Sequence, residues 1–145
     1  MLDCETCSGV AIACVDAIGG TLAEAAERAG LHEQTVRRAQ ANDPVTLESL
    51  SKLARAAGAD LKLLIHCEVA DMDFPVASLG EAVWLARSRG MLTQRALAKL
   101  ARTYGSHIAA VEAERVIPEV HRCQTWCSLS GGGRLIFRLT PHPSE

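Results

Sequence analysis

Six cysteines and five histidines are the residues of this chain best suited to hold a metal or pass electrons. Cys4-x-x-Cys7 has the spacing of a zinc knuckle or a redox pair, in which two thiolates converge from one turn of backbone. A four-ligand site would need partners from Cys14, His66, Cys67, His121, Cys123 and Cys127. A second Cys-x-x-Cys is absent; Cys123 and Cys127 fall on one face of a predicted helix, as ligands or as small core residues. Thiols in a reducing cytosol stay free, so structural cysteines are expected, with no metal and no cofactor. Spacing yields no Ser/His/Asp set, no paired carboxylates and no HExxH. Gly131-Gly-Gly133 lacks the Lys-Ser/Thr of a phosphate loop and precedes a strand. No enzyme is expected.

A different chemistry comes from hydrogen-bonding side chains on one short helix. His32, Glu33, Gln34, Thr35, Arg37 and Arg38 point outward if Val36 and Ala39 face in. Gln suits an adenine edge, and Arg suits guanine or phosphate. Gly30 makes a tight turn between this helix and the one before it, a helix-turn-helix arrangement that pushes the second helix towards a DNA major groove. The alternative is a solvated helix in a small bundle. A second set, Ser106 and His107 with Arg115, follows later in the chain, beside Glu112 and Glu114, whose charges repel phosphate.

The elements that would position these residues are legible in outline. The chain has 145 residues, 48% apolar and 22% charged, which excludes disorder, collagen and a disulfide scaffold; with 3% aromatics the core must be aliphatic. Net charge is −2, with a pI near 6.2, which excludes a grossly basic nucleic-acid binder but not a local basic face. Lys occurs only at 52, 62 and 99, so Arg carries the basic character, which base composition of the gene would also explain. The uncharged run Thr6 to Val15 is far short of the roughly 20 residues of a membrane span. With Asp3 and Glu5 ahead of it, it does not resemble a secretory signal. No membrane association and a cytoplasmic location are expected.

The chain also repeats itself. Leu22–Gln40 aligns with Leu97–Arg115, placing Gly30 on Gly105 and His32 on His107. One register step later, Pro44, Gly58 and Leu61 meet Pro118, Gly132 and Leu135. Each copy reads as four short helices closed by a strand. Thr21-Leu-Ala-Glu24 and Ser78-Leu-Gly-Glu81 are capping boxes. Thr46 caps the helix that carries Leu47, Leu50 and Leu53, and Leu61–Ile65 is extended. In copy two, helices are expected over Thr93–Tyr104, Ser106–Glu114 and Pro118–Leu129. The expected organisation is a first module at 1–66, a linker at 67–77 of mixed polarity, a second, diverged module at 78–139 and a tail at 140–145. The N-terminus is expected to fray, and His142 to lie in a disordered tail.

Residues 8–66 and 78–139 resemble two tandem Cro/C1-type (XRE-like) helix-turn-helix modules. Copy one is also similar to the addiction-module antidote family through Asn42-Asp43-Pro44-Val45-Thr46-Leu47, where Asp43 interrupts that family's Asn-Pro. Copy two carries Gly90-Met-Leu-Thr93-Gln94 with Leu97-Ala98. The resemblance implies a mainly α fold and makes Gln94 a phosphate ligand. It gives Val111-Glu112 a structural role. It implies sequence-specific binding of double-stranded operator DNA, palindromic if the modules pair. Such proteins are transcriptional repressors, often of their own operon, acting by promoter occlusion. Family members often pair through the terminal strand, here either between two chains as a homodimer or within one chain as a pseudo-dimer. The alternative function is an antitoxin or antiactivator that neutralises a protein toxin or regulator.

Overall fold

In a computed structural model, residues 1–143 are described and form eight helices and four strands. The order is β1 (Leu2–Cys4), α1 (Cys7–Ile18), α2 (Leu22–Ala29), α3 (Glu33–Gln40), α4 (Leu47–Ala56), β2 (Ala59–Cys67), β3 (Met72–Val76), α5 (Leu79–Arg89), α6 (Gln94–Ala101), α7 (Gly105–Glu112), α8 (Val120–Ser130) and β4 (Arg134–Pro141). Short polar side chains start most helices, because the first backbone N–H groups of a helix lack internal acceptors. Thr6, Thr21, Thr46, Ser78 and Thr93 each accept a bond from the N–H three residues on. Glu81 also reaches back past the cap, accepting from the Ala77 N–H at 2.7 Å.

The strands form an antiparallel sheet in the order β1-β4-β2-β3. Two elements differ from expectation. The N-terminus pairs in β1, with Leu2, Asp3 and Cys4 opposite Leu139, Arg138 and Phe137. Arg138 grips Asp3 through two bonds of 2.7 and 2.8 Å, and holds the Asp3 carboxyl below its ordinary pKa chiefly by that hydrogen bonding. The segment read as a linker carries β3, despite Pro75. An edge strand tolerates proline, since one side of it makes no ladder bonds.

The chain divides into two compact units, Met1–Lys62 with Phe137–Glu145, and Leu63–Ile136. The first has Val10, Ala11, Ala25, Ala26, Val36, Leu50, Leu53 and Ala54 in its core. The second buries Ala82, Val83, Ala86, Leu97, Ile108, Val111, Val120, Cys123, Trp126 and Cys127. His142 is held, its N–H bonding Gly58 O at 2.8 Å and its Nε2 lying 3.2 Å from Asp60. Residues 144 and 145 of the expected tail lie outside the described residues.

Inside each unit the helices pack in the same pairs. α1 and α2 each meet α3 and α4; α5 and α6 each meet α7 and α8. The caps set the register between the halves. Thr6, Thr21 and His32 correspond to Ser78, Thr93 and Tyr104, each 72 positions on. Left-handed Gly30 and Asn42 correspond at the same spacing to left-handed Arg102 and Glu114. One residue enters before α8, so Thr46 and Gly58 correspond to Glu119 and Gly131. The alignment of Gly30 with Gly105 and His32 with His107 is therefore one helical turn out. A three-residue slip keeps an alanine-rich stripe nearly in phase, which is why it misleads. In the corrected register Leu47, Leu50 and Leu53 correspond to Val120, Cys123 and Trp126, all three buried. The polar residues His121 and Gln124 correspond to Glu48 and Ser51, off the leucine positions.

Candidate functional site

In the first unit α2 stops at Gly30, whose left-handed backbone turns the chain and lets its N–H reach Ala26 O and Glu27 O. Three residues later α3 begins. Val36 and Ala39 bury themselves in the unit core, and the rest of the helix is thereby turned out. His32, Gln34, Arg37 and Arg38 are exposed, while Glu33 and Thr35 are half-buried. The structure thus brings all six sequence-predicted residues onto or beside one short helix. Glu33 accepts from Arg37 Nη2 at 2.6 Å, so these two charges offset each other. Arg38 has no ion pair among the described residues. With Thr35 it lines an open groove of about 240 Å³ completed by Pro44, Val45, Thr46 and Ser49. Thr46 and Ser49 belong to the first turn of α4, where the helix dipole is positive. The face therefore offers donors, one uncompensated cation and a positive helix end, suited to phosphate oxygens and base edges.

The second unit is not a copy of this surface. Ala109 and Ala110 stand where the first unit has Arg37 and Arg38. Ser106 is exposed, but the His107 ring lies edge-on to Trp126 with centroids 5.4 Å apart, packed against α8. Glu112 turns inward. Its carboxylate takes Arg87 Nε and Nη2 at 2.7 and 2.8 Å and Gln94 Nε2 at 3.2 Å, and Arg87 Nη1 also bonds Leu92 O at 2.8 Å. The Glu112 bonds hold the Arg87 guanidinium above its ordinary pKa. Gln94 is thus engaged with Glu112, and of the two expected repulsive carboxylates only Glu114 faces solvent. Arg115 is exposed beyond the end of α7. Sequence reasoning missed Arg87, which lies too far from Glu112 for any local spacing rule, and Thr46 and Ser49 as groove residues.

The thiols do not assemble. Among the described residues no three His, Cys, Asp or Glu side chains converge on a metal position. Burial pushes Cys7 and Cys14 up to about 11, and Cys123 and Cys127 up to about 12. Cys67 differs: hydrogen bonds from the Ala70 backbone and from Arg89, whose Nη2 lies 3.5 Å away, hold its thiol below the ordinary value. It lines an open depression of about 320 Å³ with His66, Ser128, Gly131 and Arg134. Arg89 also lies over the Phe74 ring, 4.4 Å from its centroid.

No single helix among the described residues is long and apolar enough to cross a membrane. No protein-family model, curated protein or solved structure matches the chain.

Proposed function

We propose that this protein is a sequence-specific, DNA-binding transcriptional repressor of the cytoplasm, related to the Cro/C1-type helix-turn-helix proteins. The observation that carries the reading is α3: a short helix entered through a left-handed glycine turn, with Val36 and Ala39 buried and His32, Gln34, Arg37 and Arg38 exposed. That is the presentation a major groove requires of a recognition helix. Gln34 and Thr35 contribute base readout, Arg37 reads a base once DNA competes with Glu33, and Arg38 with the α4 first turn takes a phosphate. Occupying a promoter, its own included, blocks transcription. A palindromic operator would be met by two chains.

The test is a mobility shift with the DNA upstream of its own gene, at two salt concentrations, with scrambled competitor. Specific binding gives a complex that weakens with salt and survives competitor. Arg37→Ala with Arg38→Ala abolishes it while circular dichroism stays unchanged. No shift by a folded wild-type protein overturns the reading. A second reading, an antitoxin or antiactivator, is favoured by one observation: Tyr104 and Ile117 are 79% and 90% exposed. Capture of a protein partner that the Arg37/Arg38 variant retains would support it.

A further inference from the structure

The cationic surface of the second unit lies on α6, not on α7. Arg95, Lys99 and Arg102 follow one another at spacings of four and three residues, and all are exposed. None has an ion pair among the described residues, and α6 itself carries no acidic residue. In the first unit Arg37 is paired with Glu33 and Lys52 with Glu48, each four residues apart, whereas among the described residues Arg38 is not. An unrelieved like-charge pair four apart, such as Arg95 and Lys99, works against a free helix. Arg102 adds a second cost. It holds the left-handed cap at φ 55°, where the other half has Gly30. An arginine kept where glycine is easier points to a use for its charge. A Cβ placed on Gly105 would lie 3.7 Å from Arg95 Cα, so the start of α7 sits beside the residue where the stripe begins.

We infer that α6 is a sequence-blind clamp for the phosphate backbone of duplex DNA, through Arg95, Lys99 and Arg102. This rests on the DNA-binding reading above and divides the labour: α3 reads sequence, and α6 supplies phosphate contacts. Ala109 and Ala110 leave α7 without the cations that α3 has, which fits a unit that grips without reading.

The experiment compares the full-length wild type with Arg95→Gln/Lys99→Gln/Arg102→Gln on operator and scrambled duplexes, from 50 to 200 mM salt, with circular dichroism to verify folding. Three lost phosphate contacts lower the salt slope by about three, so over this range wild-type affinity falls roughly 40-fold more than the variant's. Operator and scrambled DNA weaken together, leaving their ratio unchanged. Arg95→Glu/Lys99→Glu weakens both further. An unchanged slope in a folded variant, with the operator still bound, overturns the clamp and leaves the α3 reading standing. A changed operator-to-scrambled ratio also overturns it, because α6 would then be reading bases. Should the folded wild type bind neither duplex, both inferences fall; a stripe that instead captures an acidic protein overturns the clamp as well.

Discussion

The Arg87–Glu112 pair makes the sharpest prediction about stability. Its side chains are only 14% and 6% exposed, so it belongs with buried ion pairs, not with surface pairs worth about 0–1 kcal/mol. Breaking a buried pair strands a charge and costs about 3–5 kcal/mol, whereas replacing both partners with apolar residues is often neutral. Glu112→Leu alone leaves Arg87 with Leu92 O as its remaining acceptor, and the Gln94 amide loses its partner too. We expect a loss of about 3 kcal/mol, roughly 6–12 °C in Tm for a chain of this size. Arg87→Met alone should cost a similar amount. The double variant should cost roughly 1 kcal/mol, giving a coupling well above the few tenths expected of independent sites. Urea unfolding followed by tryptophan fluorescence suits the measurement, because both tryptophans, Trp84 and Trp126, lie in the second unit. A single-variant loss below about 1 kcal/mol, or a double variant equal to the sum of the singles, would refute the reasoning.

Four other outcomes follow from the geometry. A Cβ at Gly132 would overlap the Ala86 carbonyl oxygen and the Gly90 nitrogen, both backbone, so Gly132→Ala should leave the second unit unfolded by near-ultraviolet circular dichroism. Arg102→Gly relieves the left-handed cap and should stabilise the protein by about 1 kcal/mol in the same urea titration while weakening DNA binding. Cys67, whose thiol is held below its ordinary pKa though the residue is only 7% exposed, should react with iodoacetamide ahead of Cys7, Cys14, Cys123 and Cys127, which are at most 1% exposed and react only on unfolding; peptide mass spectrometry decides. The lowered Asp3 pKa means its contribution is present above pH 3.8 and lost as pH falls through the folded-state value. Amide protection at β1, relative to an unstructured chain at the same pH, should therefore fall in acid, and Asp3→Asn should remove that pH dependence.

The helices were legible because their starts are chemical. Thr21, Thr46, Ser78 and Thr93 announce themselves by side chains that bond backbone N–H groups within three residues. What depends on distant chain was not. β1 is three residues long and exists through partners near residue 138; β3 has an aspartate and a proline that only an edge position accommodates. The register of the repeat failed for a related reason, since alanine and leucine stripes match themselves at every turn and only the left-handed caps break the tie. The outward face of α3 was readable from Val36 and Ala39. The inward turn of Glu112 was not, because its partner Arg87 sits on another helix.

The make-up of the two units has a consequence for the order in which the protein can be assembled during synthesis. The second unit is one unbroken stretch of chain, whereas the first needs Met1–Lys62 together with residues from Phe137 onward. The earliest strand to emerge, β1, has no partner until Phe137, Arg138 and Leu139 have been translated. Until then α1–α4 must persist without that pairing, and the long loop that β1 and β4 close is the most entropically demanding step. A gene cut after residue 62 would yield helices lacking β4, and one spanning 63–136 would sever both β2 and β4.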